Sequence, residues 1–192
     1  MLLPYHITLR NVKTEVANRR SSILLAIALF FIALLQSAPA VTQTQGETNM
    51  SKSDQDIESR NKAIVQASFD AWKAGTGSPF DLLTEDATWT IVGRSMASKT
   101  YESREAFMSE VIRPFNARMS VGLKPTIRNI YAAGDTVIVF FDASGTARDG
   151  RTYANTYAWF LEMRAGKVVK ASAFFDSIEF NQLWQRVTPV TE

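Results

Sequence analysis

The sequence has no cysteine and one histidine, His6. Without cysteine there is no disulfide, no thiolate nucleophile and no sulfur ligand for a metal, so the core alone must hold the fold. The lone histidine sits in a segment read below as a leader. The remainder then has neither residue, which excludes Ser-His-Asp and Cys-His catalysis and ordinary zinc sites. Glycine-rich phosphate loops are absent, as are carboxylates at calcium-loop spacing. The residues therefore call for no cofactor and no metal. Acid-base work falls to Asp, Glu, Tyr, Lys or bound water. An excess of one charge is also missing: 21 Lys and Arg stand against 19 Asp and Glu in 192 residues.

The basic residues are concentrated at the start. Arg10, Lys13, Arg19 and Arg20 precede the apolar run "ILLAIALFFIALL", Ile23 to Leu35, and then "QSAPAVTQ", with Ala38 and Ala40 two apart. A basic region, a short apolar core and an A-x-A site are the order of a secretory signal. The run is shorter than the roughly 20 residues of a spanning helix. Residues 1–40 are expected to be a signal peptide cut near Ala40, with the protein periplasmic or secreted. A membrane partner is expected only if the leader stays uncleaved. The leader holds four of the 21 bases and one of the 19 acids, Glu15, so the rest carries 17 against 18. The basic pI belongs to the leader, and nucleic acid, which needs a basic stripe on the folded domain, is not expected as a partner.

Residues 41–53, "VTQTQGETNMSKS", are polar with little to bury and read as a linker. A domain follows over 54–187, with a short tail at 188–192. Ser53 is expected to cap a first helix with Ile57, Ile64, Ser68 and Trp72 near one face, flanked by Val65 and Phe69, and stopped by Gly75 and Gly77. "SPFDLLTED" reads as a helical turn and "ATWTIVG" as a strand. "SREAFMSEVIRPFNARM" reads as a helix that Pro114 kinks or divides. Three or four strands come last, from "KPTIRNIYAAG" to "KVVKASAFFDSIEF", with glycine in the turns between them. Helices followed by a run of strands give an α+β class, with helices on one face of an antiparallel sheet.

Strand alternation selects the candidate site. On the strand Arg151 to Arg164, Tyr153, Asn155, Tyr157, Trp159, Leu161 and Met163 share one face, expected to meet the helices. The opposite face is small-residue rich and suits pairing with a second copy. On the last strand Val169, Ala171, Ala173 and Phe175 are expected inside. Tyr157 and Asn155 stand out on an apolar face, because a buried Asn needs partners. They read either as polarising groups in a pocket or as a structural pair satisfied by backbone. Trp72, Trp89 and Trp159 read as core or as a wall for ligand stacking. Asp142, in "VIVFFDASG", is a pocket acid if Ile138 and Phe140 face in, and a surface charge if Val139 and Phe141 do. On the last strand the alternation leaves Asp176 facing out, unless the strand bends or ends near it.

The stretches "LTEDATWTIVG", "SREAFMSEV" and "GDTVIVFFDASGTARDGRTYANTYAWFLEMRAGKVVKASAFFD" resemble the SnoaL-like branch of the nuclear transport factor 2 superfamily, to which the ketosteroid isomerases belong. The resemblance spans about Asp54 to Trp184. It implies a cone, a curved sheet wrapping helices around a pocket, and a homodimer through the outer sheet face. Known members of the superfamily include isomerases, polyketide cyclases, dehydratases and epoxide hydrolases, so the fold does not fix the reaction. The isomerases' Asp base matches "TWTIVG", where Thr90, Ile91 and Val92 offer no carboxylate, and their helical Tyr falls near Phe69 and Trp72. The last-strand Asp of cyclases and epoxide hydrolases falls on Ala173. The Arg-Asp pair of the epoxide hydrolases falls on Phe140 and Asp142, so the Arg is missing.

The resulting expectation is a pocket for a small, largely apolar molecule, lined by Trp72, Trp89, Tyr157 and Trp159. One alternative is a cofactor-independent lyase, isomerase or hydrolase with Asp142 or Asp176 as acid-base and Tyr157 and Asn155 as polarising groups. Another is a dimeric interaction module with a filled core.

Overall fold

The structure, a computed structural model, describes residues 45–190. The leader and its cleavage site lie outside the described residues. Helix α1 (Gln45–Ala74) begins well before the expected cap at Ser53, so much of the segment expected as a linker is helical. No proline interrupts Gln45 to Ser53, and its polar residues tolerate a helix. The helix buries Val65 and Phe69 and ends in a Schellman arrangement. There Thr76 N donates to Ala71 O (2.9 Å) and Gly75 N to Trp72 O (3.0 Å), with Gly75 at φ 75°, the left-handed conformation glycine adopts without strain.

A 3₁₀ turn (Pro79–Leu82), capped reciprocally by Ser78 and Asp81, leads into β1 (Leu83–Ile91) and the two-residue β2 (Thr100–Tyr101). Then α2 (Arg104–Phe107), a π-helical turn (Met108–Ile112) and α3 (Arg113–Asn116) follow without a break. Pro114 divides this segment as its missing N–H requires: the ladder widens just before it, and Arg113 N bonds Met108 O. Strands β3 (Met119–Ala133), β4 (Thr136–Ala147), β5 (Thr152–Arg164) and β6 (Lys167–Phe175) come next.

The chain closes with α4 (Ser177–Arg186). The last strand was expected to run on to Phe180. It stops at Phe175, and Asp176 caps a helix instead, its carboxylate accepting from Ile178 N at 2.8 Å.

The six strands lie in the order β2-β1-β6-β5-β4-β3. Strands β3 to β6 form an antiparallel meander, but β1 runs parallel to β6. The curved sheet is therefore mixed, not wholly antiparallel. The chain between β1 and β6 is long enough to re-enter in the same direction, as a parallel pair requires.

On β5 the residues Tyr153, Asn155, Tyr157, Trp159, Leu161 and Met163 are all buried against the helices, and Thr152, Ala154, Phe160 and Glu162 are exposed. The β6 expectation needs one change. Val168 is buried and Val169 only half-buried, because the β5–β6 register shifts between Glu162 and Met163, leaving an extra residue in the bulge. Among the described residues no helix is long and apolar enough to cross a membrane.

Candidate functional site

The helices do not fill the concave face of the sheet. Between α1, the α2–α3 segment and the inner face of the sheet lies a cavity of about 700 Å³. Trp72, Trp89, Tyr157 and Trp159 all line it, as the alternation of β1 and β5 places them. Trp159 is the hub of the wall. Its ring stacks on Trp72 at 6.2 Å and meets Trp89 edge-on at 5.0 Å, with an interplanar angle of 87°. Trp89 in turn stacks on Phe107 at 4.5 Å, and Tyr157 on Phe141 at 4.9 Å. Offset and edge-to-face contacts of this kind suit the ring quadrupoles and fix each ring's direction. The tryptophans are thus both core and wall.

Among the described residues no Asp or Glu lines this cavity, and the charged residues that do are the exposed Lys73 and Lys124. A cationic ligand would meet only like charge there.

Tyr157 is the buried hydroxyl of the wall. Burial pushes its pKa well above the ordinary tyrosine value, so it stays protonated and available as a donor. Its oxygen lies 3.0 Å from the Tyr153 hydroxyl, which is buried behind it and likewise raised by burial.

Asn155 does not line the cavity. Its Oδ1 accepts from Asp176 N at 2.9 Å, and its Nδ2 donates to Asp176 O at 2.9 Å and to the Tyr153 hydroxyl at 3.0 Å. These bonds tie β5 to the start of α4. Tyr153, which sequence reasoning grouped only with the core, is the link between Asn155 and Tyr157.

The two candidate acids are placed elsewhere. Val139 and Phe141 face inward, so Asp142 lies on the outer face of β4. Arg128 Nε donates to it at 2.6 Å and Thr156 Oγ1 at 2.7 Å. These two hydrogen bonds, the arginine's first, hold its carboxyl below the usual aspartate value. It is a surface ion pair, not a pocket acid.

Asp176 does come near Asp142. Both border, together with Asn155, Glu179 and Lys124, a second depression of about 540 Å³. There Asp176 is occupied in capping α4, and the apolar cavity is a separate space. Among the described residues no group of three or more acids or histidines is arranged to hold a metal.

The pairing of Asp142 gives a directional test. Its folded-state pKa is depressed, so its contribution to stability is complete above the unfolded aspartate value near 4 and is lost as pH falls through the folded value. Asp142→Asn should melt slightly below wild type at pH 7, and the difference should be smaller at pH 3. It should leave occupancy of the cavity unchanged. Melting curves at both pH values check the first point, and a loss of ligand binding in the variant would contradict the second.

Residues 65–171, more than half of the chain, match the family model described as SnoaL-like domain. No curated protein matches the chain. Among solved structures, Bal32a from a soil-derived mobile gene cassette is similar over 67% of this chain and 98% of its own, at 21% identity and TM-score 0.55. An NTF2-like protein from Burkholderia thailandensis is similar over 64% of this chain and 95% of its own, at 25% identity and TM-score 0.54. TerC, co-crystallised with polyporic acid, is similar over 66% and 98%, at 20% identity and TM-score 0.52. These likenesses agree on the fold.

Proposed function

Because the chain belongs to the SnoaL-like domain family, we propose that it binds a small, largely apolar molecule within the curved sheet. The observation that carries this reading is the cavity of about 700 Å³ with an aromatic wall and no carboxylate among its lining residues. Its size is that of a ligand site. A core built only for stability would fill such a space, since unfilled apolar volume loses contacts and stability. The enzyme alternative calls for Asp142 or Asp176 beside Tyr157, and these two acids border the other depression. Binding is therefore the reading we place first. It argues equally against a module with a filled core.

The reading includes a homodimer through the outer sheet face. Cross-strand register puts Phe140, Ala158 and Phe174 in one row, and Tyr131, Ile138 and Phe160 in the next. Tyr131, Phe160 and Phe174 are exposed. The ion pairs Arg128–Asp142 and Glu162–Lys170 flank the rows. An apolar patch with a polar border is the composition of a contact surface. The reading also includes export, with the mature chain starting at Val41 and membrane attachment only if the leader is kept.

A native mass spectrum of the protein isolated from its own host tests all parts. The expected species is a dimer starting at Val41 that retains a small non-covalent mass. A bare protein, with no saturable change in tryptophan fluorescence on titration with fluorene, overturns the binding reading. A monomer overturns the dimer, and a mass that includes the leader overturns the cleavage.

A further inference from the structure

We propose that the Tyr157 hydroxyl is the polar anchor of the cavity, supplied with a free proton by a relay from Asn155 through Tyr153, so that the ligand is an apolar molecule carrying an acceptor oxygen such as a ketone carbonyl. The proposal rests on the small-molecule reading above and names its chemical class.

The direction of the relay follows from the backbone. Asp176 N can only donate and Asp176 O can only accept, so the Asn155 amide has one possible orientation: Oδ1 toward the N–H and Nδ2 toward the carbonyl. Both Nδ2 hydrogens are then used, one on Asp176 O and one on the Tyr153 oxygen at 3.0 Å. Tyr153 is 1% exposed, and its own proton needs an acceptor. Among the described residues the one within reach is the Tyr157 oxygen at 3.0 Å. The reverse arrangement, Tyr157 donating to Tyr153, would strand the Tyr153 proton in the core, which burial penalises. Tyr153 therefore donates to Tyr157, and the Tyr157 proton is left over.

Tyr157 lines the cavity and Tyr153 does not. Hydrogen bonds in a chain polarise one another, so accepting from Tyr153 strengthens Tyr157 as a donor. Burial keeps the phenol neutral, and no lining carboxylate competes for its proton. Around it, Phe141, Trp159 and Phe175 present ring contacts at 4.9, 6.3 and 5.8 Å. A phenol donor held among these rings favours an acceptor oxygen on a largely apolar body, and the Trp89 indole N–H, buried with no partner among the described residues, is a second donor in the same wall. Tyr153 and Asn155 are positioning residues that act through Tyr157.

The test uses the full chain and two probes of one shape, 9-fluorenone and fluorene, which differ by a carbonyl in place of a methylene. Wild type is expected to bind fluorenone about tenfold more tightly, the worth of one buried hydrogen bond. The carbonyl stretch of bound fluorenone should lie below its value in an alkane.

Tyr157→Phe should bring the ratio to about one and restore the alkane frequency. Tyr153→Phe should give an intermediate ratio and a smaller frequency shift. A loss of packing alone would not move the stretch. Equal binding of the two probes by wild type, or an unshifted carbonyl, overturns the anchor while leaving the binding reading intact. Binding of neither probe overturns both. The wild-type ratio and frequency decide the question even where a variant fails to fold.

Discussion

Replacing Asn155 with alanine is expected to lower the unfolding free energy by about 2 to 3 kcal/mol, because it strips partners from several polar groups at once. Asp176 loses the acceptor for its N–H and the donor for its carbonyl, and Tyr153 loses the donor to its hydroxyl. Water can reach Asp176, which is exposed, but not Tyr153, which is fully buried. That difference keeps the cost below the full penalty for three stranded groups. For a domain of this size the melting temperature should fall by roughly 2 to 4 °C per kcal/mol.

Asn155→Asp sharpens the test. Its carboxylate can accept from Asp176 N, but it cannot donate to Asp176 O or to Tyr153, and it places a charge in a site only 6% exposed. It should be at least as destabilised as the alanine variant at pH 7 and recover as the pH falls and the carboxyl is protonated. Thermal melts at two pH values read both effects. An alanine variant that melts with wild type but no longer binds would make Asn155 a ligand group and overturn the structural assignment.

The parts of the fold that were legible in the sequence are those set by local pattern. β5 keeps its large aromatic and aliphatic residues on one parity, with Phe160 the large apolar exception on the other, so its inner face could be assigned from Tyr153 to Met163. Pro114 marked its own break. The α4 signals are also present: an Asp at 176 with Glu179 three residues on, then Phe180, Leu183, Trp184 and Val187 at helical spacing. The preceding "AFFD" continues a strand pattern into them, and length alone does not show where β6 stops.

β4 was open for a different reason. "VIVFFD" is apolar on both parities, since the outer face of the sheet is itself apolar, so no alternation decides where Asp142 points. The partners of Asn155 and the parallel pairing of β1 with β6 depend on register between distant segments. The sequence names the aromatic residues of the cavity, but whether they meet and close the space depends on the curvature of the sheet.

Phe140 and Phe141 turn that ambiguity into an experiment. Phe141→Ala is expected to cost about 4 kcal/mol, within the range for truncating a fully buried aromatic residue. The side chain is 0% exposed. It meets Phe69 and Trp159 at 4.9 Å, Tyr157 at 4.9 Å and Trp72 at 6.1 Å, so its loss opens a hole that four rings must border. Collapse into it is resisted, because Trp159 and Tyr157 are held on the sheet and Phe69 on α1.

Phe140, its neighbour on the outer face, is half-buried beneath the Arg128 guanidinium at 5.1 Å. Phe140→Ala should cost only about 1 kcal/mol in the folded subunit, since much of its area is already in water. If the outer face joins two copies, the Phe140 variant should instead weaken the dimer, an effect that grows on dilution. The Phe141 loss should not depend on protein concentration. Denaturant titrations at two concentrations separate the two. Similar, concentration-independent losses for both variants would mean that neither side chain faces as the strand alternation places it, and the assignment of Asp142 to the outer face would fall with it.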